Sequence, residues 1–171
     1  ELKVLEQINK LRTDPFSLKD AFLETSKYFE EHKSSKKSNE LVEVAESLSR
    51  MEITQPLNIS LGLCKAADEE LKEIILKKIG FKRPNDKALS NLCEKYIKSH
   101  GDLFIILDEG TTENFLFRSF VNDNDPEKKN ISALKDKKYK YIGFATAQVE
   151  DEEKNIIILS DKIEEIDEKL L

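Results

Sequence analysis

The 171-residue sequence has no tryptophan, one methionine, two cysteines, two histidines and five glycines. Two cysteines are too few for the disulfide framework of a small secreted domain. We interpret Cys64 and Cys93 as reduced, buried thiols, which favours a reducing compartment, although a single bridge between them stays open. No glycine-rich phosphate loop is present, so nucleotide chemistry is not expected.

The sequence also lacks an apolar run of membrane-spanning length and lacks an excess of positive charge. We therefore expect a chain that does not span a membrane. Acidic residues outnumber basic ones by 34 to 28, for a net charge of −6. Because nucleic-acid binding needs a basic face, no nucleic-acid partner is expected. A hydrophobic content of 39% is enough for one core, so residues 1–171 are predicted to form a single domain.

Residues with catalytic or metal-binding chemistry are sparse. Neither histidine has a Cys, a His or paired carboxylates at ligand spacing, so we predict neither a metal site nor a cofactor. Glu94, Asp108 and Glu109 lie beside apolar segments, where burial could raise the pKa of a carboxyl group. Without a companion nucleophile or histidine, the chain is predicted not to be an enzyme. A hydrolase that uses Glu94 and Asp108 ranks last among the hypotheses.

Apolar residues at helical spacing predict helices throughout the first half of the chain. Asp14 is predicted to cap the second helix, with Pro15 in its first turn, and residues 33–38 are predicted to be a polar linker before the third helix. Ser60 is a good N-cap for the fourth helix, which Gly80 can terminate.

The C-terminal third is rich in β-forming residues. Residues 139–145 and 155–159 are predicted to pair as an antiparallel hairpin, with an acidic turn at residues 150–154. Residues 162–171 are predicted to form a final helix. The apolar run Leu103–Leu107 fits a strand or a helix, and we predict a helix. Helices first and strands last indicate an α+β fold.

Several segments, taken together, resemble the CAP superfamily of cysteine-rich secretory, antigen 5 and pathogenesis-related proteins, also called the SCP domain. They read, in order, LEQINKLRTDP at 5–15, QPL at 55–57, Ala66-Ala67, LDEG at 107–110, LFRSF at 116–120 and KYIGFA at 140–145. The resemblance covers nearly the whole chain and implies an α-β-α sandwich.

The departures from the family pattern concern its cavity, which carries two histidines and two acidic residues that can bind a divalent cation. By the resemblance, Glu94 corresponds to the first acidic position and Asp108 or Glu109 to the second. Leu116 stands at the position of one histidine, and residues 81–85 contain no counterpart of the other. The family's usual disulfides are also missing. The resemblance therefore implies a CAP-like domain that has lost its metal cavity.

The cluster Phe115, Leu116, Phe117 and Phe120 is unusually apolar for a loop. It either fills the former cavity, which we favour, or forms an interaction patch. A domain without the tetrad is expected to act through its surface, as a non-catalytic structural or docking component that binds other proteins of a larger assembly.

The setting of such an assembly is a further hypothesis. The abundance of Lys, Asn and Ile suggests an AT-rich genome, as in many protists, and a cytoplasmic, cytoskeletal or ciliary location. If a signal peptide has been removed, the alternative is a secreted protein. The alternative function is lipid or sterol binding, in a groove lined by Leu103–Leu107 and the segment at 115–120.

Overall fold

A computed structural model describes residues 2–32, 34–77, 80–121, 125 and 127–167. The chain divides into two compact units. Of the described residues, those within 57–113 and 137–167 form the sheet unit, and those within 2–56 and 114–136 form the helical unit. The expectation of a single domain stays a prediction.

Among the described residues, three helices precede the first strand, and helices and strands are mixed along the rest of the chain. The helices are α1 (Leu2–Thr13), α2 (Lys19–Glu31), α3 (Ser35–Leu48), α4 (Leu61–Lys77), α5 (Asp86–Cys93), α6 (Phe115–Phe120) and α7 (Lys129–Lys135). The strands are β1 (Asn58–Ile59), β2 (Ile97–His100), β3 (Leu103–Glu109), β4 (Tyr141–Val149), β5 (Glu152–Ser160) and β6 (Ile163–Glu165). This content places the protein in the predicted α+β class.

The main sheet has the strand order β1-β4-β5-β3. Strand β5 lies in its centre and pairs antiparallel with both β4 and β3, whereas β1 pairs parallel with β4 at one edge. The β4–β5 pair is the predicted hairpin, and Glu150 turns the chain with a φ of 57°. All four residues of the run 156–159 are buried, and because successive side chains point to opposite faces, both faces of the sheet are covered at this strand.

Helix α4 packs on strands β4 and β5 of this sheet. Gly143 in β4 makes the close approach possible, since a Cβ atom there would overlap the backbone of Leu63 and Cys64. The core between them is aliphatic. Its buried members are Leu63, Ala66, Ala67, Leu71, Ile74, Leu89, Leu92, Cys93, Ile97, Ile105, Ala145, Ile156 and Ile158.

The helical unit is built around the contact between α2 and α3. The two helices are joined by a buried pair of hydroxyls, since Ser26 Oγ lies 2.9 Å from Ser38 Oγ and donates to the Ser38 carbonyl at 3.0 Å. Aromatic rings connect α2 with α6: Phe22 meets Phe120 edge to face at 5.2 Å, and Phe29 stacks on Phe117 at 6.0 Å.

Arg12 at the end of α1 holds three segments of the helical unit together. Its side chain is only 2% exposed. It donates to the carbonyl oxygens of Gln55 at 2.8 Å and of Leu134 and Asp136 at 2.9 Å each. Burial lowers the pKa of Arg12, and the charge of Asp136 opposes that shift. A guanidinium has five N–H donors in a fixed plane, so it can bond carbonyls from several segments at once.

Two predictions for the first half of the chain are wrong. The predicted polar linker at 33–38 is wrong for residues 35–38, since α3 begins at Ser35 and Ser38 is buried against Ser26; residue 33 lies outside the described residues. Asp14 makes no side-chain cap for the second helix. Instead Pro15–Leu18 forms a 3-10 turn, and α2 begins at Lys19.

Two predictions for the second half are also wrong. Leu103–Leu107 is strand, not helix, because its seven-residue segment pairs along its whole length with β5. Residues 162–171 do not begin a helix, since Ile163–Glu165 forms β6 and pairs with β2. The last four residues of that predicted helix, 168–171, lie outside the described residues.

Candidate functional site

The acidic residues assigned to the former cavity lie in the sheet unit, at separate places. Glu94 is the exposed residue that ends α5. Asp108 and Glu109 follow each other at the end of β3 and point to opposite faces of the sheet. Glu109 accepts from Lys154 at 3.0 Å. Asp108 accepts from Asn155 Nδ2 at 2.9 Å.

Asn155 is the buried partner of Asp108 and is only 1% exposed. Its amide nitrogen also donates to the Gly110 carbonyl at 3.0 Å. The amide oxygen has no hydrogen-bond partner among the described residues. Asp108 is therefore held by the amide of Asn155.

Leu116 and the three phenylalanines assigned to an interaction patch belong to the helical unit. Phe115, Leu116 and Phe120 are buried, and Phe117 is half-buried. Leu116 is tied to α1 through its backbone, whose N–H donates to Gln7 Oε1 at 3.1 Å. This burial leaves little of the cluster for a partner protein to contact. Leu103–Leu107, assigned to a lipid groove, lies in β3 with Ile105 in the core, so lipid binding stays a prediction.

An open groove of about 740 Å³ lies in the sheet unit beside strand β1 and the start of α4. We call it the β1 groove. Two large aliphatic side chains stand exposed in it, Leu61 at 62% and Ile59 at 43%. Among the described residues, the groove is lined by Ile59, Leu61, Gly62, Lys65, Lys95, Tyr96, Glu165 and Ile166. Neighbouring exposed aliphatic residues in a concave surface are typical of a binding site.

The floor of the β1 groove is fixed by a carboxylate at the first turn of α4. Ser60 Oγ accepts from the Leu63 N–H at 3.1 Å and donates to Glu165 of β6. Glu165 in turn accepts from the Gly62 N–H at 3.2 Å. The predicted cap at Ser60 is confirmed, and Glu165 adds a negative charge where the helix dipole favours one.

One wall of the β1 groove is held by Glu69, further along α4. Lys95 donates to Glu69 at 2.5 Å, and the Tyr96 hydroxyl donates to its other oxygen. These two hydrogen bonds lower the pKa of Glu69, and the bond from Lys95 has the larger effect. The bond to Glu69 also raises the pKa of Tyr96. The hydrogen bond from the Tyr96 hydroxyl to Glu69 thus fixes the position of the Tyr96 ring.

A second polar cluster joins the end of α5 to strand β2. Ser90 Oγ lies 2.9 Å from His100 Nε2 and donates to Glu94 at 3.1 Å, and His100 Nε2 is 3.6 Å from Glu94. The other ring nitrogen of His100 lies 2.6 Å from the Gly101 carbonyl. That carbonyl only accepts, so His100 Nδ1 carries a proton. The sequence spacing gave no indication of this contact with a carboxylate.

Neither cysteine forms a disulfide. Burial raises the pKa of the Cys93 thiol to about 12, whereas Cys64 is half-buried. Among the described residues, no group of three or more His, Cys, Asp and Glu side chains is arranged to hold a metal ion. No helix in the described part of the chain has the length and apolar character needed to cross a membrane.

The arrangement of elements defines an α+β protein, and comparison with known proteins adds one structural similarity. No protein-family model matches the sequence, and no curated protein matches it. Among solved structures, the chain is similar to an outer surface protein from Borrelia burgdorferi, with a TM-score of 0.51 and 18% sequence identity. The match covers 72% of this chain and 86% of that chain. At this identity the similarity concerns the fold alone.

No sequence pattern indicated the β1 groove as a site. Its lining comes from residues 59–65, 95–96 and 165–166, which are far apart along the chain. The one available signal was the pair Ile59 and Leu61, two aliphatic residues on either side of the cap Ser60. Because period-two aliphatic residues usually face a core, that signal alone does not indicate exposure.

Proposed function

We propose that this chain is a non-catalytic CAP-like domain that acts as a structural or docking component and binds another protein through the β1 groove. The exposed pair Ile59 and Leu61 is the observation that carries the proposal. Aliphatic side chains that remain this exposed in a groove are stabilised when a partner covers them. The groove is also preformed, because Glu165 and Glu69 hold its floor and wall by hydrogen bonds.

The proposed site differs from the one expected from the sequence. The phenylalanine cluster is the more apolar segment, but its burial makes it a poor docking surface. The β1 groove offers Leu61 at 62% exposure, flanked by a lysine. A hot spot of this kind, an aliphatic side chain in a concave patch with a polar rim, is typical of protein interfaces.

The experiment is cross-linking mass spectrometry on the full chain in extract from its native source. We expect stoichiometric cross-links from Lys65 or Lys95 to one defined partner. A Leu61→Glu variant should lose these links, whereas Leu76→Glu, at an exposed leucine of the same helix outside the groove, should keep them. Links that persist in Leu61→Glu, or a chain that links to nothing, would contradict the proposal.

The location of the assembly is part of the proposal. The similar solved structure is described as an outer surface protein, and that description favours the secreted or surface alternative for this chain over a cytoskeletal or ciliary one. Protease treatment of intact cells tests this directly. Loss of the chain without cell lysis supports a surface location, and full protection supports an internal one.

A further inference from the structure

Three side chains that can bind a metal ion meet where α5 approaches β2. They are Ser90 on α5, Glu94 at the end of α5 and His100 in β2, and we call them the His100 cluster. Ser90 Oγ lies 2.9 Å from His100 Nε2 and 3.1 Å from Glu94 Oε1, and the last two atoms are 3.6 Å apart. Imidazole nitrogen and carboxylate oxygen are common zinc ligands. The serine hydroxyl adds a third ligand, an oxygen.

The His100 cluster has fewer protons than its acceptor atoms need. His100 Nδ1 donates to the Gly101 carbonyl at 2.6 Å, so Nε2 of the neutral ring presents a lone pair. The Glu94 carboxylate only accepts, and Ser90 has a single hydroxyl proton. Three acceptor atoms therefore face one another with one proton between them. A cation in contact with all three would use the lone pairs that this proton leaves unpaired.

The separations in the His100 cluster suit one small divalent cation. The three distances define a circle with a radius of about 1.9 Å through Nε2, Oγ and Oε1. Zinc makes bonds of about 2.1 Å to nitrogen and oxygen ligands, so an ion just outside the plane of the three atoms can contact all of them. The corresponding angles at the ion run from about 90° to about 120°, which covers octahedral and tetrahedral coordination.

His100 is already oriented as a metal ligand. A histidine that binds a metal usually donates its other ring N–H to a carbonyl or a carboxylate, which fixes the ring and its tautomer. The Gly101 carbonyl has this role here. The His100 side chain is 14% exposed, whereas that of Glu94 is 56% exposed. The ring is therefore held in place, while the carboxylate side of the cluster is open to an ion and its water ligands.

We propose that the His100 cluster binds a zinc ion through His100 Nε2, Glu94 Oε1 and Ser90 Oγ, with water at the remaining positions. Only two of these ligands are of the types His, Cys, Asp and Glu, and the third is a hydroxyl group. Because the ligands come from α5 and β2, the bound ion links the two elements and stabilises the folded chain. The cluster shares no residue with the lining of the β1 groove, so the inference does not depend on the docking function.

The test is calorimetric titration of zinc chloride into the full chain without a histidine tag, in metal-free buffer at pH 7.5. Proton NMR of the two imidazole rings locates the ion. We expect one zinc ion per chain, a shift of the His100 ring signals, and a Tm that rises with the zinc concentration. An absence of binding, or a shift of the His32 ring alone, would overturn the proposal.

His32, the other histidine, provides the matched control. Its Nδ1 also lies near a carbonyl oxygen, that of Tyr28 at 2.8 Å, but among the described residues its Nε2 has no hydrogen bond or ion pair. His100→Gln and Glu94→Gln should each weaken zinc binding at least tenfold, since even the loss of a residue that only orients a ligand costs about tenfold to a hundredfold. His32→Gln should leave the affinity unchanged.

The remaining variant tests the hydroxyl ligand. Ser90→Ala should also weaken zinc binding, and an unchanged affinity would overturn the site with three ligands. Equal weakening in His32→Gln and His100→Gln would identify an adventitious ion only and overturn the proposal. Circular dichroism without metal checks that each variant is folded. Because the Glu94 side chain is exposed, Glu94→Gln keeps the test decisive if His100→Gln does not fold.

Discussion

Replacing Gly143 by alanine tests the contact on which the sheet unit is built. A Cβ atom at this position would overlap the backbone atoms of Leu63 and Cys64, by about 1 Å relative to ordinary van der Waals contact. Because the opposing atoms belong to the helix backbone, no side-chain rotation can relieve the overlap. Helix α4 would have to move away from β4.

The cost can be estimated from two opposing effects. Overpacking of a close-packed core typically costs about 1–3 kcal/mol, and a backbone contact places Gly143→Ala at the upper end. Alanine is favoured over glycine within a strand by about 0.5–1 kcal/mol. The expected net loss is about 2–2.5 kcal/mol, or a fall in Tm of about 4–10 °C for a chain of this length.

The assay is urea unfolding followed by circular dichroism. The control is Gly80→Ala, whose Cβ would make an ordinary contact with the side chain of Lys82 at 3.5 Å and should leave the midpoint unchanged or slightly raised. If Gly143→Ala unfolds at the same urea concentration as the parent and as Gly80→Ala, the close packing of α4 on β4 is refuted.

Three further predictions concern other contacts. Arg12→Met should destabilise the chain by at least about 3 kcal/mol, because three carbonyls lose their donor and each costs about 1–3 kcal/mol; an unchanged urea midpoint would contradict this role. In native protein at pH 8, iodoacetamide should modify Cys64 and spare Cys93, whose pKa of about 12 keeps it a thiol, as peptide mass spectrometry can check. The pKa of Glu69 is lowered by Lys95, so their contact should stabilise the fold above pH 4.5 and lose its effect as the pH falls through the lowered value. In Glu69→Gln, the free energy of unfolding should depend less on pH in the acid range than it does in the parent. An identical pH dependence in both proteins would argue against the pairing.

The elements predicted correctly are those whose local pattern agrees with their tertiary contacts. Helix α4 has an N-cap at Ser60 and an apolar face, and the β4–β5 hairpin has two segments rich in β-forming residues around an acidic turn. The run Leu103–Leu107 was ambiguous, because five apolar residues suit a helix or a strand equally. Its pairing with β5, some 50 residues away, determined the outcome.

The surface sites could not be predicted to the same extent. Ser90 and His100 are only ten residues apart, yet their contact depends on the turn that connects α5 to β2. The β1 groove depends on Glu165, which approaches Ser60 only because β6 pairs with β2. Sequence patterns report which face of an element is apolar, and such long-range contacts leave no periodic signal.

The central position of β5 also affects how the chain behaves when it is not folded. Its run Ile156–Leu159 combines high β-propensity with no charge and no proline, as do segments that form steric zippers between chains. In the native sheet the run is covered by a strand on each side. Lys154 before it and Asp161 after it act as gatekeepers, because charges that flank such a run oppose its stacking into fibrils. Since the pairing with β3 closes a long loop, late formation of this pair would leave the run exposed to other chains during synthesis.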